Sequence, residues 1–153
     1  MQLSTHFDLF EFELDGPMPE AVVPTYQKQC QLQLEPIRTQ FGQPVVITSG
    51  YRSPAANAAA HGVSNSQHEA TPIYCASDFR VKGMETNLRP VFDWIRENSE
   101  LPFDQVILEH DPQAGTDIIH ISWSAAFNRR MALEGETANQ DAYQNWPAAQ
   151  ASA

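Results

Sequence analysis

The chain is poor in basic residues. Its 153 residues include 9 Lys and Arg against 19 Asp and Glu, which gives a formal net charge of −10 at pH 7. Such a surface repels a phosphate backbone and gains little from counterion release. We therefore expect no nucleic-acid partner, and we attribute most of the acidity to solubility.

Long apolar runs, a leader and cysteines are also scarce. No stretch of about eighteen apolar residues is present, so we expect no membrane span. The start, MQLSTHFDLFEFELDG, lacks the basic and then apolar pattern of a secretory signal peptide. The two cysteines, Cys30 and Cys75, are compatible with one disulfide or with two buried thiols, and their separation does not decide between them.

What is present predicts one α+β domain. Apolar residues recur every three or four positions from Pro19 to Phe41 and predict a helix, which Pro36 should kink or break and Gly42 should end. A second helix is predicted near Glu85–Asn98. The predicted strands, of which the last two form a hairpin, are Val45–Thr48, Ala76–Val81, Gln105–Glu109 and Ile118–Trp123.

These elements predict a small, mainly antiparallel sheet with flanking helices. We expect the domain to span residues 1–132, with the aromatic lead-in of residues 1–16 packed on the core. Residues 133–153 are rich in Ala, Gln and Asn, and we expect a weakly ordered tail or a short helix.

Three polar residues stand out against this pattern. His68 lies in a long loop between residues 51 and 75, Asp78 lies in the next strand, and His120 interrupts the apolar run Ile118–Ile121. Each alone could be a hydrogen-bonded structural residue. Together, two imidazoles and one carboxylate form the three-ligand set of a catalytic zinc site, where the metal lowers the pKa of a bound water to about 7.

A family resemblance rests on longer stretches. ITSGYRSPAANAAAHGVSNSQHEATPIYCASDFRV, followed by FDQVILEH and DIIHISW, resembles the M15 zinc peptidases, a family of D-Ala-D-Ala carboxypeptidases and phage endolysins. FDLFEF and LEPIR are similar to the lead-in of that family, so the likeness covers about residues 5–127. It implies a hedgehog-like or DD-peptidase-like fold.

The resemblance implies residue roles. His68, Asp78 and His120 would hold one zinc ion, Arg52 would face a substrate carboxylate or the carbonyl under attack, and Ser66 would contact substrate near the metal. The alternatives are a surface ion pair for Arg52 and a turn for Ser66.

The spacing of the ligands departs from the family. The first histidine and the aspartate usually lie roughly seven residues apart, whereas His68 and Asp78 are separated by ten. A small insertion, TPIYC, explains the difference at low cost in loop entropy. Alternatively the site is altered, and Cys75 competes as a ligand.

The general base has two candidates. Asp117, three residues before His120, occupies the position that the family uses, but it can serve only if it lies at the turn before the strand, because residues three apart in a strand face opposite ways. Glu109 could instead reach the metal from the partner strand. We favour Asp117 slightly over Glu109.

The resemblance implies hydrolysis of peptide bonds in peptidoglycan stem peptides, carried out by a monomer at the bacterial cell wall or in the periplasm. The lack of a visible signal is compatible with a phage-encoded enzyme delivered from the cytoplasm or the virion, and the sequence leaves host or phage origin open. A non-catalytic metal-containing binding module, or a phage structural domain with a hydrogen-bonded polar core, would be the alternative functions.

Overall fold

The structure is a computed structural model that describes residues 1–63, 66–137, 139 and 142–145. The helices are α1 (Val23–Gln29), α2 (Glu35–Phe41), α3 (Pro54–Ala59) and α4 (Arg89–Glu97). The strands are β1 (Val45–Ser49), β2 (Tyr74–Val81), β3 (Gln105–Asp111), β4 (Thr116–Ser124), β5 (Met131–Glu136) and β6 (Gln144–Asn145). None of the described helices is long and apolar enough to cross a membrane.

The long predicted helix is continuous but changes its pitch. Between α1 and α2, residues Cys30–Leu34 form a π-helical turn that ends just before Pro36. Pro36 has no backbone N–H to donate and its ring crowds the preceding turn, so a locally wider helix accommodates it. Gly42 ends α2 in the left-handed conformation, at φ 63°, as the sequence predicted.

The six strands form one sheet in the order β1-β2-β4-β3-β5-β6. All neighbouring pairs are antiparallel except β3 and β5, which run parallel. The predicted α+β class, the mainly antiparallel sheet and the β3–β4 hairpin are confirmed. Since β5 begins at Met131, the domain boundary predicted after residue 132 falls inside a strand; residues 138, 140–141 and 146–153 of the predicted tail lie outside the described residues.

The hydrophobic core lies between the helices and one face of the sheet. Alternate residues of the central strands point into it, including Phe79, Leu108 and Ile119, which are fully buried. Phe7 and Phe12 of the lead-in are buried in the same cluster, which confirms that this segment packs on the core. The residues between the core positions face the other side of the sheet, where a cleft is found.

Candidate active site

A cleft of about 470 Å³ opens on the face of the sheet opposite α1, α2 and α4. His68, Asp78 and His120 all line it, and so do Arg52, Ser66 and Glu109. Asp78 and His120 are paired across β2 and β4, so their side chains project from the same face of adjacent strands. His68 reaches the same point from the loop before β2.

Three ligand atoms converge there. His68 Nε2 lies 3.1 Å from Asp78 Oδ1 and 3.2 Å from His120 Nδ1. His120 Nδ1 lies 2.9 Å from the same carboxylate oxygen. A tetrahedral zinc ion with bonds of about 2.0–2.1 Å would hold its ligand atoms about 3.3 Å apart. The triangle of ligand atoms therefore has a suitable size for one such ion.

The hydrogen bonding of His68 favours a metal ligand. Its Nδ1–H donates to the carbonyl oxygen of Gly50 at 2.7 Å, which in the neutral ring leaves the lone pair of Nε2 directed at the other two ligand atoms. Metal-bound histidines typically donate their second N–H to a carbonyl or carboxylate in this way. The donor set, two imidazole nitrogens and one carboxylate oxygen, fits zinc.

The position of Gly50 depends on the lead-in segment. Tyr51 N donates to the carbonyl oxygen of Phe12 at 3.0 Å. A Cβ atom at Gly50 would come within 2.6 Å of that same oxygen, so only glycine allows this close approach. The lead-in thus holds the loop whose carbonyl orients His68.

A second set of contacts braces the loop that carries His68. Asn57 of α3 is almost fully buried, and its amide donates to the carbonyl oxygen of Val63 at 2.8 Å and to Glu69 Oε1 at 2.9 Å. A Cβ atom at Gly62 would come within 2.0 Å of Asn57 Oδ1. Gly62 lines the cleft wall, whereas Asn57 holds that wall together from behind.

Buried charge at the ligands is compensated locally. Burial alone would raise the pKa of the Asp78 carboxyl, but His68 and His120 hold that pKa well below its usual range. Burial tends to lower the pKa of His68, but the Asp78 carboxylate has a larger effect in the opposite direction. The pKa of His68 is therefore raised above its ordinary value. Arg52 Nη2 lies 3.7 Å from Asp78 Oδ2 and adds a positive charge beside the carboxylate.

Arg52 and Ser66 lie where substrate could meet them. Arg52 Nε donates to Ser49 Oγ at 3.1 Å, and Asp15 lies 3.6 Å from the same nitrogen, so the guanidinium is held from behind. Ser66 Oγ accepts from His68 N at 3.2 Å while the residue lines the cleft. Ser66 therefore has a turn role and a cleft position at once.

The two candidate bases are separated by the sheet. Glu109 lines the cleft, and burial together with the charge of Asp78 raises the pKa of its carboxyl. Asp117 lies within β4 and faces the helix side, where Oδ2 accepts from Leu88 N at 2.9 Å and Oδ1 pairs with His110 Nδ1 at 2.7 Å. The slight preference for Asp117 is therefore corrected: it required a place before the strand, and β4 already begins at Thr116.

Cys75 is placed away from the ligands as well. It is fully buried, and its thiol contacts the carbonyl oxygen of Thr25, on the helix side of β2. Of the residues between His68 and Asp78, residues 69–73 precede β2 and residues 74–77 are its first four residues. Cys30 and Cys75 are both free thiols in the structure.

Sequence reasoning missed several residues of the cleft. Gln67, Arg129 and Tyr143 line it, and Asp104 joins the first two by accepting from Gln67 Nε2 at 3.0 Å and from Arg129 Nη2 at 2.8 Å. Gln67 stands between Ser66 and His68, which was a usable signal. Arg129 and Tyr143 lie beyond the motifs, and nothing in the local sequence marks them.

A model of the Peptidase M15 family matches residues 6–111, which is more than two thirds of the chain. The chain therefore belongs to the Peptidase M15 family. The matched segment contains Arg52, His68, Asp78 and Glu109 and ends before His120, which the sheet places beside Asp78. No curated protein matches the chain.

Proposed function

We propose that the protein is a zinc-dependent peptidase that hydrolyses peptide bonds in peptidoglycan stem peptides. The observation that carries the proposal is the convergence of His68, Asp78 and His120 on one point of an open cleft. Membership in the Peptidase M15 family supports peptide hydrolysis as the reaction. We propose that it acts at the bacterial cell wall as a monomer. Delivery by a phage is an accompanying hypothesis.

The metal site would be filled by one zinc ion bound to His68 Nε2, Asp78 Oδ1 and His120 Nδ1. When bound, zinc supplies Lewis-acid polarisation of a carbonyl group and makes water a nucleophile at neutral pH. The carbonyl oxygen of Gly50 keeps the ring of His68 in the tautomer that can bind it.

Glu109 is the proposed general base. Its raised pKa suits a group that accepts a proton from the attacking water and returns it to the leaving amine. Arg52 stabilises negative charge that develops on the carbonyl oxygen, because a fixed planar cation beside the reacting group needs no reorganisation. Ser66 contacts the substrate backbone at the cleft wall.

The charges of the cleft suit an anionic peptide. Arg52 and Arg129 line it in a protein that has only nine basic residues. The Arg129 side chain is 50% exposed although Asp104 holds it, so the guanidinium remains accessible to a substrate carboxylate.

The test is digestion of purified wall material by the zinc-loaded protein, with mass analysis of the released fragments. Wild-type protein should release peptide fragments, and their masses would identify a terminal D-Ala or an internal bond as the one cut. Glu109→Gln keeps the shape of the side chain and should lower turnover by about 10²- to 10⁴-fold while zinc stays bound. Wild-type protein that contains one zinc ion and releases no fragment would refute the proposal and favour a binding module.

A further inference from the structure

Tyr143 brings the C-terminal segment to the cleft. β6 pairs with β5 through Leu133 opposite Asn145 and Glu134 opposite Gln144. Tyr143 directly precedes β6, and its side chain lines the cleft. This segment lies beyond the residues that the family model matches.

The hydroxyl of Tyr143 is bound to the proposed base. Tyr143 Oη lies 2.6 Å from Glu109 Oε2. Burial and the charge of Glu109 raise the pKa of Tyr143, so the phenol keeps its proton and is the donor. A short O–H···O contact to a carboxylate is a strong, charge-assisted hydrogen bond. It occupies one carboxylate oxygen and leaves the second for proton transfer.

Gly135 provides the space for the ring of Tyr143. It is paired with Glu109 across β3 and β5, so the two positions lie side by side in the sheet. A Cβ atom at Gly135 would come within 2.2 Å of Tyr143 Cδ1. Any side chain at this position would therefore displace the ring and, with it, the hydroxyl bound to Glu109.

On the basis of the proposed function, we propose that Tyr143, with its ring seated on Gly135, is a positioning residue that holds the Glu109 carboxylate in its working orientation. The preorganisation of a base by a second side chain is a common requirement for efficient proton transfer. The C-terminal segment thereby completes a site whose other residues come from the loop before β2 and from β2, β3 and β4.

Tyr143→Phe tests this with the ring retained. We expect kcat to fall by about 5- to 50-fold with KM changed by less than about twofold, because binding surface is kept while orientation is lost. A donor that stabilises the carboxylate is also removed, so the acidic limb of the kcat/KM profile should move to higher pH. Tyr51→Phe is the matched control, because the Tyr51 ring packs against the core. It should leave kcat and the pH profile unchanged.

Gly135→Ala tests the seat of the ring. Alone it should lower kcat to a similar extent as Tyr143→Phe. In a Tyr143→Ala background the same substitution should have almost no effect, because no ring remains to be displaced. A full effect of Gly135→Ala in that background would contradict the proposal.

Hydrogen exchange of the backbone amides at residues 142–145 gives a readout that does not depend on activity. Exchange should be faster in Tyr143→Phe than in wild type, since the anchor on Glu109 is lost; unchanged exchange would overturn the inference. If exchange changes but wild-type protein hydrolyses nothing, the proposed function fails while the contact stands. If wild type hydrolyses wall peptides and Tyr143→Phe matches it in kcat and pH profile, the inference fails and the function stands.

Discussion

Two histidine–carboxylate clusters lie on opposite faces of the same sheet. The ligand cluster in the cleft contains His68, Asp78 and His120. The His110 cluster, on the helix side, joins His110 Nδ1 to Asp117 Oδ1 at 2.7 Å and His110 Nε2 to Glu134 Oε2 at 2.7 Å. Arg89 contacts the same Glu134 oxygen.

The two clusters differ in how donors and acceptors are matched. Each nitrogen of His110 has its own carboxylate, and Arg89 adds a further cation, so a protonated His110 is fully satisfied. In the ligand cluster the N–H of His68 is already used on Gly50, and His68 Nε2, Asp78 Oδ1 and His120 Nδ1 lie within 3.2 Å of one another. The same residue types therefore make a closed ion-pair network on one face and, on the other, a group of atoms that could hold a metal ion.

Metal binding should separate the clusters most strongly. His120→Ala removes one of three ligands and should abolish stoichiometric zinc binding and lower turnover by at least about 10³-fold, since no other donor is in place. His110→Ala should retain about one zinc per chain. The zinc content of protein dialysed against a weak chelator and the turnover on wall peptides measure these two effects.

The free energy of unfolding of wild type should also rise when zinc is added, by about 2.7 kcal/mol at a free zinc concentration 100 times Kd.

If His120→Ala binds as much zinc as a zinc-containing wild type, His120 is not a ligand; if neither protein binds zinc, the ligand cluster is a hydrogen-bonded core network. Loss of zinc from His110→Ala with a folded protein would show that the two clusters are not independent. Circular dichroism of each variant distinguishes loss of a ligand from loss of the fold.

The carboxylates give the next contrast. Asp117→Asn should lower the free energy of unfolding by about 1–3 kcal/mol, because a buried acceptor of Leu88 N and His110 loses its charge. Its turnover should stay within about threefold of wild type. Glu109→Gln should show the reverse, with stability nearly unchanged and turnover strongly reduced. Urea unfolding and steady-state turnover of both variants provide the comparison, and a large loss of turnover in Asp117→Asn alone would return the role of base to Asp117.

This choice of base shows how far the sequence could lead. His120 was recognised as a candidate ligand because a histidine within an apolar strand needs polar partners. The stretch that resembles the M15 peptidases then supplied His68 and Asp78 as the other two candidates. The parity of strand residues already placed Asp117 opposite His120 unless Asp117 preceded the strand. The sequence could not fix the first residue of β4, since strand ends depend on pairing partners that are distant in the chain.

The C-terminal region was harder to predict for the same reason. β5 contains only three apolar side chains among MALEGE, so its periodicity is weak, and its parallel pairing with β3 comes from tertiary contacts. The contact of Tyr143 with Glu109 spans 34 residues. Gly135 has no side chain from which its role could be read. α3 was missed too, although Ser53 and Pro54 form a recognisable helix start.

The smallest expected effect is the pH dependence of the His110 cluster. Burial tends to lower the pKa of His110, but Glu134 and Asp117 outweigh it, so the folded protein has the higher pKa. The stabilisation is therefore complete below the unfolded value of about 6.5 and is lost as pH rises through the folded pKa. The pKa of Glu134 is lowered in the folded protein. Its contribution to the free energy of unfolding is therefore present above about pH 4.5 and is lost at more acidic pH.

His110→Gln should therefore be less stable than wild type mainly between about pH 4.5 and 6.5. Because the side chain is 37% exposed, we expect a difference of only about 1 kcal/mol in this window, shrinking towards pH 8.5. Urea unfolding of zinc-saturated protein across the pH series measures it, and the contributions of the ligand cluster cancel in the difference. His61→Asn, in an exposed turn with φ 57° that asparagine tolerates, should give a flat difference. A His110→Gln difference that grows with pH would mean that His110 is neutral in the fold, and the contrast between a closed ion-pair network and the ligand cluster would no longer hold.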